Sequence, residues 1–186
     1  MKVIGIRGTN GSGKSWVARK IMEFAEEGFK TKHKLDSNKV LVNVFDKFVI
    51  PGSYDRACGG CDTIPKPQLV WDTIVECVEY SNVVYEGVIV GCVYEPTMIL
   101  NERLKLAGHE LVNICLDTEF DKCVANITMR RAAEGKGPLE RLDNVETNYK
   151  KHVSSAKKLK LAGLNVHWVS AEEAVEIALR ELGYAQ

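Results

Sequence analysis

Residues 8–15 read Gly8-Thr9-Asn10-Gly11-Ser12-Gly13-Lys14-Ser15 and match the phosphate-binding pattern G-x-x-x-x-G-K-[ST]. The apolar run before them, at 3–6, is typical of a buried strand, and residues 16–24 after them have helical periodicity. A strand, a glycine loop and a helix in that order are the context that this motif requires. The sequence therefore predicts a phosphate-binding loop at the amino terminus of a helix.

The residue types in the loop predict how a nucleotide would be held. Glycines allow successive backbone N–H groups to turn toward bound phosphates, and the helix terminus adds partial positive charge. Lys14 would neutralise the β- and γ-phosphates of ATP, and the Ser15 hydroxyl would hold Mg²⁺. The expected nucleotide-binding residues are Asn10, Gly11, Ser12, Gly13, Lys14, Ser15 and Trp16.

Composition limits the classes of protein that fit. The chain has 186 residues and is 45% hydrophobic, which suits a single domain spanning 1–186. Its formal charge is zero, so it has no overall basic field of the kind that drives non-specific DNA binding, although a local patch remains open. No apolar run approaches the ~20 residues that span a bilayer. We expect no membrane partner and a cytoplasmic location, in the host cytoplasm if a phage encodes the chain.

Strands and helices alternate along the chain. Further strands are predicted at 39–45, from residue 83 to Glu86, at 111–116 and at 165–169, and residues 51–67 are predicted to form a loop. Helices are predicted at 68–80, 96–107, 119–133, 139–161 and 171–182. This alternation predicts an α/β P-loop NTPase fold, a five-stranded parallel sheet with helices on both faces and ligands at the carboxyl ends of its strands.

Three classes of protein share the phosphate loop: kinases, guanine-nucleotide switches and motor ATPases. The single Asn-Lys pair, Asn38-Lys39, lacks the aspartate of a guanine-reading motif, and Glu86 is a lone acid where motors usually carry a carboxylate pair. Arg130 and Arg131 precede a glycine-rich break and Arg141, which is typical of a short kinase lid at about 130–141. The alternative is that these arginines only stabilise the carboxyl end of a helix.

These features together resemble the nucleoside and nucleotide kinase group of P-loop proteins, over almost the whole chain. More narrowly, residues 54–64 and 85–90 look like phage thymidylate-kinase-like proteins, a group that includes 5-hydroxymethyluracil DNA kinases. The resemblance implies an ATP- and Mg²⁺-dependent phosphotransferase whose acceptor is the hydroxymethyl group of that base in DNA. Glu86-Gly87-Val88 stands where thymidylate kinases carry an Asp-Arg-Tyr type motif, which argues against free thymidylate as the acceptor. A kinase for a free deoxynucleoside or a deoxynucleoside monophosphate, thymidylate-like, and a non-catalytic ATP-binding switch remain as alternatives.

Two acids are candidates for the catalytic base. Asp46 follows the predicted second strand, where polynucleotide kinases, which this arrangement resembles, keep a catalytic aspartate; the alternative is that it caps a turn. Glu86, at the end of a buried strand, would organise Mg²⁺ through water, act as the base, or bind loop amides. The sequence does not rank these two acids. Arg130 and Arg131 would stabilise charge in the transition state.

The predicted loop at 51–67 offers residues that could bind the acceptor. Tyr54, Arg56 and Asp62 would act by stacking, phosphate pairing and hydrogen bonding, unless this is simply a solvated surface loop. Cys58 and Cys61 are spaced as in zinc sites, but no second ligand pair lies at suitable spacing, so a tight glycine turn is favoured and metal binding stays open.

Overall fold

A mixed sheet forms the centre of the fold. The computed structural model describes residues 1–56, 59–137, 139 and 141–184. Within them the strands are β1 (Lys2–Arg7), β2 (Phe29–Lys34), β3 (Leu41–Phe45), β4 (Phe48–Pro51), β5 (Asn82–Glu86), β6 (Glu110–Leu116) and β7 (Asn165–Val169). The helices are α1 (Lys14–Phe24), α2 (Pro67–Val78), α3 (Val88–Gly91), α4 (Glu95–Leu106), α5 (Phe120–Ala133), α6 (Asp143–Leu161) and α7 (Ala171–Glu181).

The strand order is β2-β3-β4-β5-β1-β6-β7. Strands β4, β5, β1, β6 and β7 run parallel to one another, whereas β3 is antiparallel to both β4 and β2. The α/β class and the P-loop context are therefore as predicted, but the prediction of a purely parallel five-stranded sheet is wrong. In the described part of the chain the sheet has seven strands of mixed direction.

The error lies in the segment from 29 to 51. The predicted strand at 39–45 corresponds to β3, and its chain turns back at Asp46-Lys47 into β4, which had been assigned partly to a loop. Strand β2 is exposed along its whole length and has no apolar alternation, so its sequence does not predict a strand. The result is an antiparallel extension at one edge of the parallel sheet.

Apolar side chains bury both faces of the sheet, as predicted for helices on both sides. Alternation along β1 sends Ile4 and Ile6 to the face covered by α1 and α7, and Val3 to the face covered by α2 and α4. Among the described helices, none combines the length and hydropathy needed to cross a bilayer. The carboxyl ends of the parallel strands thus meet at one edge, where the loop after β1 begins.

Candidate active site

The phosphate loop is fixed in shape by its glycines and by α5. Gly11 and Gly13 have φ values of 75° and 100°, a region that side chains rarely adopt. A Cβ at Gly11 would also collide with the carbonyl oxygen of Cys123 on α5. Asn126 Nδ2 donates to the Gly11 carbonyl at 2.8 Å. These constraints hold the loop backbone against α5, the helix that ends at the predicted lid segment.

The loop lines a cavity of about 710 Å³. All seven predicted nucleotide-binding residues, from Asn10 to Trp16, lie on its wall. The cavity is also lined by residues that sequence reasoning did not assign, at the carboxyl ends of β6 and β7 and on α5. These include Asp117, Thr118, Lys122, Asn126 and Glu172. Their contribution depends on strand order, which no local motif encodes.

Lys14 and Ser15 lie at the start of α1 inside this cavity. The buried Lys14 side chain donates from Nζ to the Thr9 carbonyl at 2.7 Å, and Ser15 Oγ donates to Glu86 Oε1 at 2.9 Å. Glu86 reaches Ser15 because β5 is parallel to β1, with Ile6 beside Glu86 in the register. The structure therefore places Glu86 beside the phosphate loop.

Glu86 is a buried carboxyl with a perturbed ionisation. Loss of solvation raises its pKa to about 7, against the opposing effects of the Lys14 charge and the Ser15 hydrogen bond. A carboxylate and a hydroxyl oxygen side by side at a phosphate-binding loop match the ligands that Mg²⁺ takes in nucleotide sites. Ser15 and Glu86 therefore fit the predicted metal role.

Asp46 lies far from this cavity in the fold. It occupies the turn between β3 and β4, next to the amino end of β4, whereas Glu86 ends the neighbouring strand β5 at the opposite edge. Tyr184 Oη donates to Asp46 Oδ1 at 2.6 Å. The prediction that Asp46 follows a parallel strand at the catalytic edge is wrong because the strand before it runs antiparallel. The alternative, a turn residue, is what the structure shows.

A second cavity, of about 730 Å³, opens beside the first; we name it the acceptor cleft after the predicted acceptor loop, which forms part of its wall. Arg56 and Asp62 from the predicted acceptor loop line it, and so do Arg130 and Arg131 of the lid segment. Tyr54 does not: its ring is 8% exposed and packs in the core, below Arg19. Burial, and to a lesser extent Glu86, raises the pKa of the Tyr54 hydroxyl. Stacking of Tyr54 on an acceptor is therefore not supported.

Asp62 and Arg130 line both cavities. Both carboxylate oxygens of Asp62 accept from the backbone N–H of Val88 at 2.9 Å, which fixes the acid beside Glu86-Gly87. Arg130 stands near the end of α5. The neighbouring Arg131 lines only the acceptor cleft, and its Nε donates to the Gly137 carbonyl at 2.8 Å. The two predicted lid arginines therefore occupy different positions relative to the cavities.

The Cys-Gly-Gly-Cys segment forms part of the acceptor loop. Cys58 lies outside the described residues, while Cys61 is buried and burial raises its thiol pKa. Gly60 has φ of 67° and its N–H donates to the Ser53 carbonyl at 3.0 Å. Over the described ranges, the acidic, histidine and cysteine side chains form no group of three suited to a metal ion. For the described part, a tight glycine turn is the better description.

Comparison with known proteins identifies the family. The 5-hmdU DNA kinase of Pseudomonas phage PaMx11 is 32% identical over 172 residues, which cover 89% of this chain and 88% of that protein. The chain belongs to the family of phage 5-hmdU DNA kinases. The kinase class and the family predicted by resemblance are thereby confirmed, and the membership implies ATP use.

Other comparisons are more distant. The 5-hmdU DNA kinase of Delftia phage PhiW-14 is 24% identical over 174 residues, covering 87% of this kinase and 65% of that protein. A solved structure of deoxyadenosine kinase from M. mycoides with bound dATP aligns with a TM-score of 0.49 and 16% identity, over 98% of this chain and 100% of the other. No protein-family model matches the sequence.

Proposed function

We propose that this kinase transfers the γ-phosphoryl group of ATP to the hydroxymethyl group of 5-hydroxymethyluracil in DNA. The observation that carries the proposal is the pair of adjoining cavities: one contains the phosphate loop, the other opens beside it, and Asp62 and Arg130 line both. The names of the phage relatives support the choice of acceptor. The reaction would take place in the cytoplasm of an infected host.

The cavity that contains the phosphate loop, the nucleotide cavity, would hold ATP with Mg²⁺. The backbone N–H groups from Asn10 to Ser15 and the Lys14 ammonium group would bind the phosphates, and Ser15 and Glu86 would hold the metal, directly or through water. When bound, Mg²⁺ neutralises charge on the β- and γ-phosphate oxygens. Lys14 would release the Thr9 carbonyl that it now contacts and turn to the phosphates.

Asp62 is the acid best placed to accept the proton of the acceptor hydroxyl. Asp62 lines both cavities, between which the phosphoryl group would pass, whereas Glu86 lines only the nucleotide cavity. Its oxygens already accept a backbone N–H, which orients the carboxylate without neutralising it. Proton transfer to a positioned carboxylate is worth about 10²–10⁴ in rate. Glu86 would then bind the metal, and Asp62 would accept the proton of the acceptor hydroxyl.

Arg130 would stabilise the charge that develops on the transferring phosphoryl group, because it reaches both cavities. Arg131 and Arg56, which line only the acceptor cleft, would bind the DNA around the base. A base inside a duplex is stacked and out of reach, so the target nucleotide must leave the stack to enter the cleft. At about 730 Å³, the cleft lies in the range of small-molecule binding sites.

The test is transfer of labelled γ-phosphate to a matched set of acceptors. The set contains DNA with 5-hydroxymethyluracil, the same DNA with thymine, free 5-hydroxymethyldeoxyuridine, and the common deoxynucleoside monophosphates. Label on the modified DNA alone would support the proposal. Label only on a free nucleoside or a monophosphate would contradict the DNA acceptor and would leave the kinase chemistry intact.

A further inference from the structure

The edge strand β2 (Phe29–Lys34) is unusual in charge and exposure. Its six residues read Phe-Lys-Thr-Lys-His-Lys, and every one of them is exposed. The chain as a whole has equal numbers of acidic and basic residues, so this strand is a local concentration of positive charge. Among the described residues, Lys30 and Lys34 form no ion pair that would neutralise them.

The basic strand reaches the edge of the sheet that carries the active site. Lys34 pairs with Leu41, and the Leu41 carbonyl accepts from the N–H of Gly52, where the acceptor loop begins. Two residues earlier in the strand, Lys32 Nζ lies 2.7 Å from Asp55 Oδ1, and Asp55 lines the acceptor cleft. Strand β2 therefore continues the wall of the cleft outward along the sheet edge.

Lys32 and Lys34 lie on the same face of the strand. Their cross-strand partners are Asn43 and Leu41, two residues apart on β3, so the alternation of side chains holds through this pair. Lys30 lies at the irregularity between Phe29 and Thr31, near the amino end of β2, so it stands farther from the cleft than Lys32 and Lys34 do. Because Lys32 contacts Asp55 in the wall of the cleft, Lys34 lies on the same side of the sheet as the cleft.

Positive charge also stands on the other side of the cleft. Arg130 and Arg131 from the lid segment line it, and the acceptor loop contributes Arg56, whereas Lys136, which also lines it, is paired with Glu134 at 2.6 Å. A base inserted between these two sides leaves its flanking phosphates outside, on paths that lead toward the lid and toward β2. Ion pairing with lysine is the dominant, sequence-independent way in which proteins bind such phosphates.

We propose that Lys30 and Lys34 of β2, together with Lys32, bind the phosphate backbone of the DNA that flanks the target base. This rests on the proposed function, since it takes the acceptor to be a base within a DNA strand. The alternative is that lysines on an exposed edge strand only prevent it from pairing with strands of other molecules. The two differ in whether the lysines affect DNA affinity.

The test compares two double variants in DNA binding and in phosphoryl transfer. Lys30→Gln with Lys34→Gln removes two charges from β2 and leaves the Lys32–Asp55 contact in place. Lys157→Gln with Lys160→Gln is the matched control: both lysines are exposed near the end of α6, beside β7 at the opposite edge of the sheet. Affinity is measured across a range of salt concentrations with a labelled single strand of about 16 nucleotides carrying one 5-hydroxymethyluracil.

We expect the β2 variant to bind the labelled strand several-fold more weakly than the wild type. The plot of log affinity against log salt should also become shallower, by about 1.4 in slope, because each of the two lost phosphate contacts contributes ~0.7. The control variant should match the wild type, and free 5-hydroxymethyldeoxyuridine, which carries no flanking phosphate, should bind all three proteins alike. Equal affinity and equal salt slope for the β2 variant and the wild type would overturn the inference. Weaker DNA binding by the β2 variant would uphold it even if no phosphate were transferred to DNA, an outcome that would contradict only the proposed function.

Discussion

At the scale of a single residue, Glu86 is a buried acid whose ionisation depends on its surroundings. Its raised pKa of about 7 means that the carboxyl group is partly protonated at neutral pH until a cation joins it. The Ser15 hydroxyl and the Lys14 charge already favour the ionised form, and they are outweighed by the loss of solvation. A bound divalent ion would stabilise the ionised form of the Glu86 carboxyl group further.

The pKa of Glu86 predicts a pH-dependent stability. A carboxyl whose folded pKa lies above its unfolded value of about 4.5 stabilises the fold when protonated, and this contribution is lost as pH rises through 7. Without metal or nucleotide, the free energy of unfolding of the wild type relative to Glu86→Gln should fall by about 2 to 3 kcal/mol between pH 5 and pH 8. Denaturant unfolding at several pH values measures this. Parallel pH curves for the two proteins would show that Glu86 ionises normally.

Asp62 and Asp46 give a contrasting pair of predictions. Asp62→Asn keeps an oxygen for the Val88 N–H but loses the basic carboxylate, so kcat should fall about 10²–10⁴-fold with the Mg²⁺ requirement unchanged. Asp46→Asn should leave kcat as it is, because Asp46 lies at the far edge of the sheet beside Tyr184. Steady-state kinetics on modified DNA decides between them. A large loss in Asp46→Asn with normal activity in Asp62→Asn would reverse the assignment.

Some positions in the candidate site follow from local features of the sequence, and others do not. The roles expected for Lys14, Ser15 and Glu86 follow from a long motif and from an apolar strand that ends in an acid, and both are local features. Asp46 was misplaced because an apolar run does not reveal strand direction. The position of Asp62 between two cavities depends on the folding of a loop whose sequence shows only a glycine turn.

At the scale of structural elements, the acceptor loop is tied to the catalytic strand through Gly60. This glycine has a positive φ, and a Cβ on it would strike the Glu86 carboxyl group. With φ 67° and ψ −147°, Gly60 occupies a region that essentially only glycine adopts, so Gly60→Ala should destabilise the fold by about 1–3 kcal/mol through backbone strain and should also reduce activity by moving Glu86. Gly163→Ala is the control, with φ of 79° and open space around its Cβ position.

Thermal unfolding and kinetics of the two alanine variants separate strain from contact. Both variants should lose stability, and only Gly60→Ala should lose activity beyond what its stability explains. If Gly163→Ala lost as much activity as Gly60→Ala, the steric link between the acceptor loop and Glu86 would be refuted.

The lid segment makes a second prediction at this scale. Arg130 lines both cavities and Arg131 only the acceptor cleft. Arg130→Gln should lower kcat by at least about 10²-fold, since a lid arginine acts on the transition state, whereas Arg131→Gln should mainly raise the KM for DNA. Similar kcat and KM changes in the two variants would argue against this division of roles.

The sequence predicts some of the helices and strands and misses others. Helices such as α2 and α7 show clear apolar periodicity, and the structure contains them near the predicted bounds. Strand β2 was missed because all six of its residues are exposed, and β4 because its four residues adjoin a loop. The lid is described only in part, since residues 138 and 140 lie outside the described ranges.

At the scale of the whole molecule, sheet order brings the parts together. Placing β1 between β5 and β6 puts the phosphate loop beside Glu86 on one side and beside Asp117-Thr118 on the other. The antiparallel β2-β3 extension widens the same sheet next to the acceptor loop. The architecture thus places two adjoining cavities at the carboxyl ends of the parallel strands and a basic strand at the neighbouring edge of the sheet.

The central claim is that phosphate is transferred to a base within DNA, and the chemical identity of the product tests it most directly. The wild-type kinase is incubated with ATP, Mg²⁺ and DNA containing 5-hydroxymethyluracil, and the DNA is digested by nucleases to 5′-mononucleotides without phosphatase. Mass spectrometry should detect the 5′-monophosphate of 5-hydroxymethyldeoxyuridine carrying a second phosphate on its hydroxymethyl oxygen. The same nucleotide without a second phosphate, with the transferred phosphate found only at the 5′ end of the strand or nowhere on the DNA, would contradict the account.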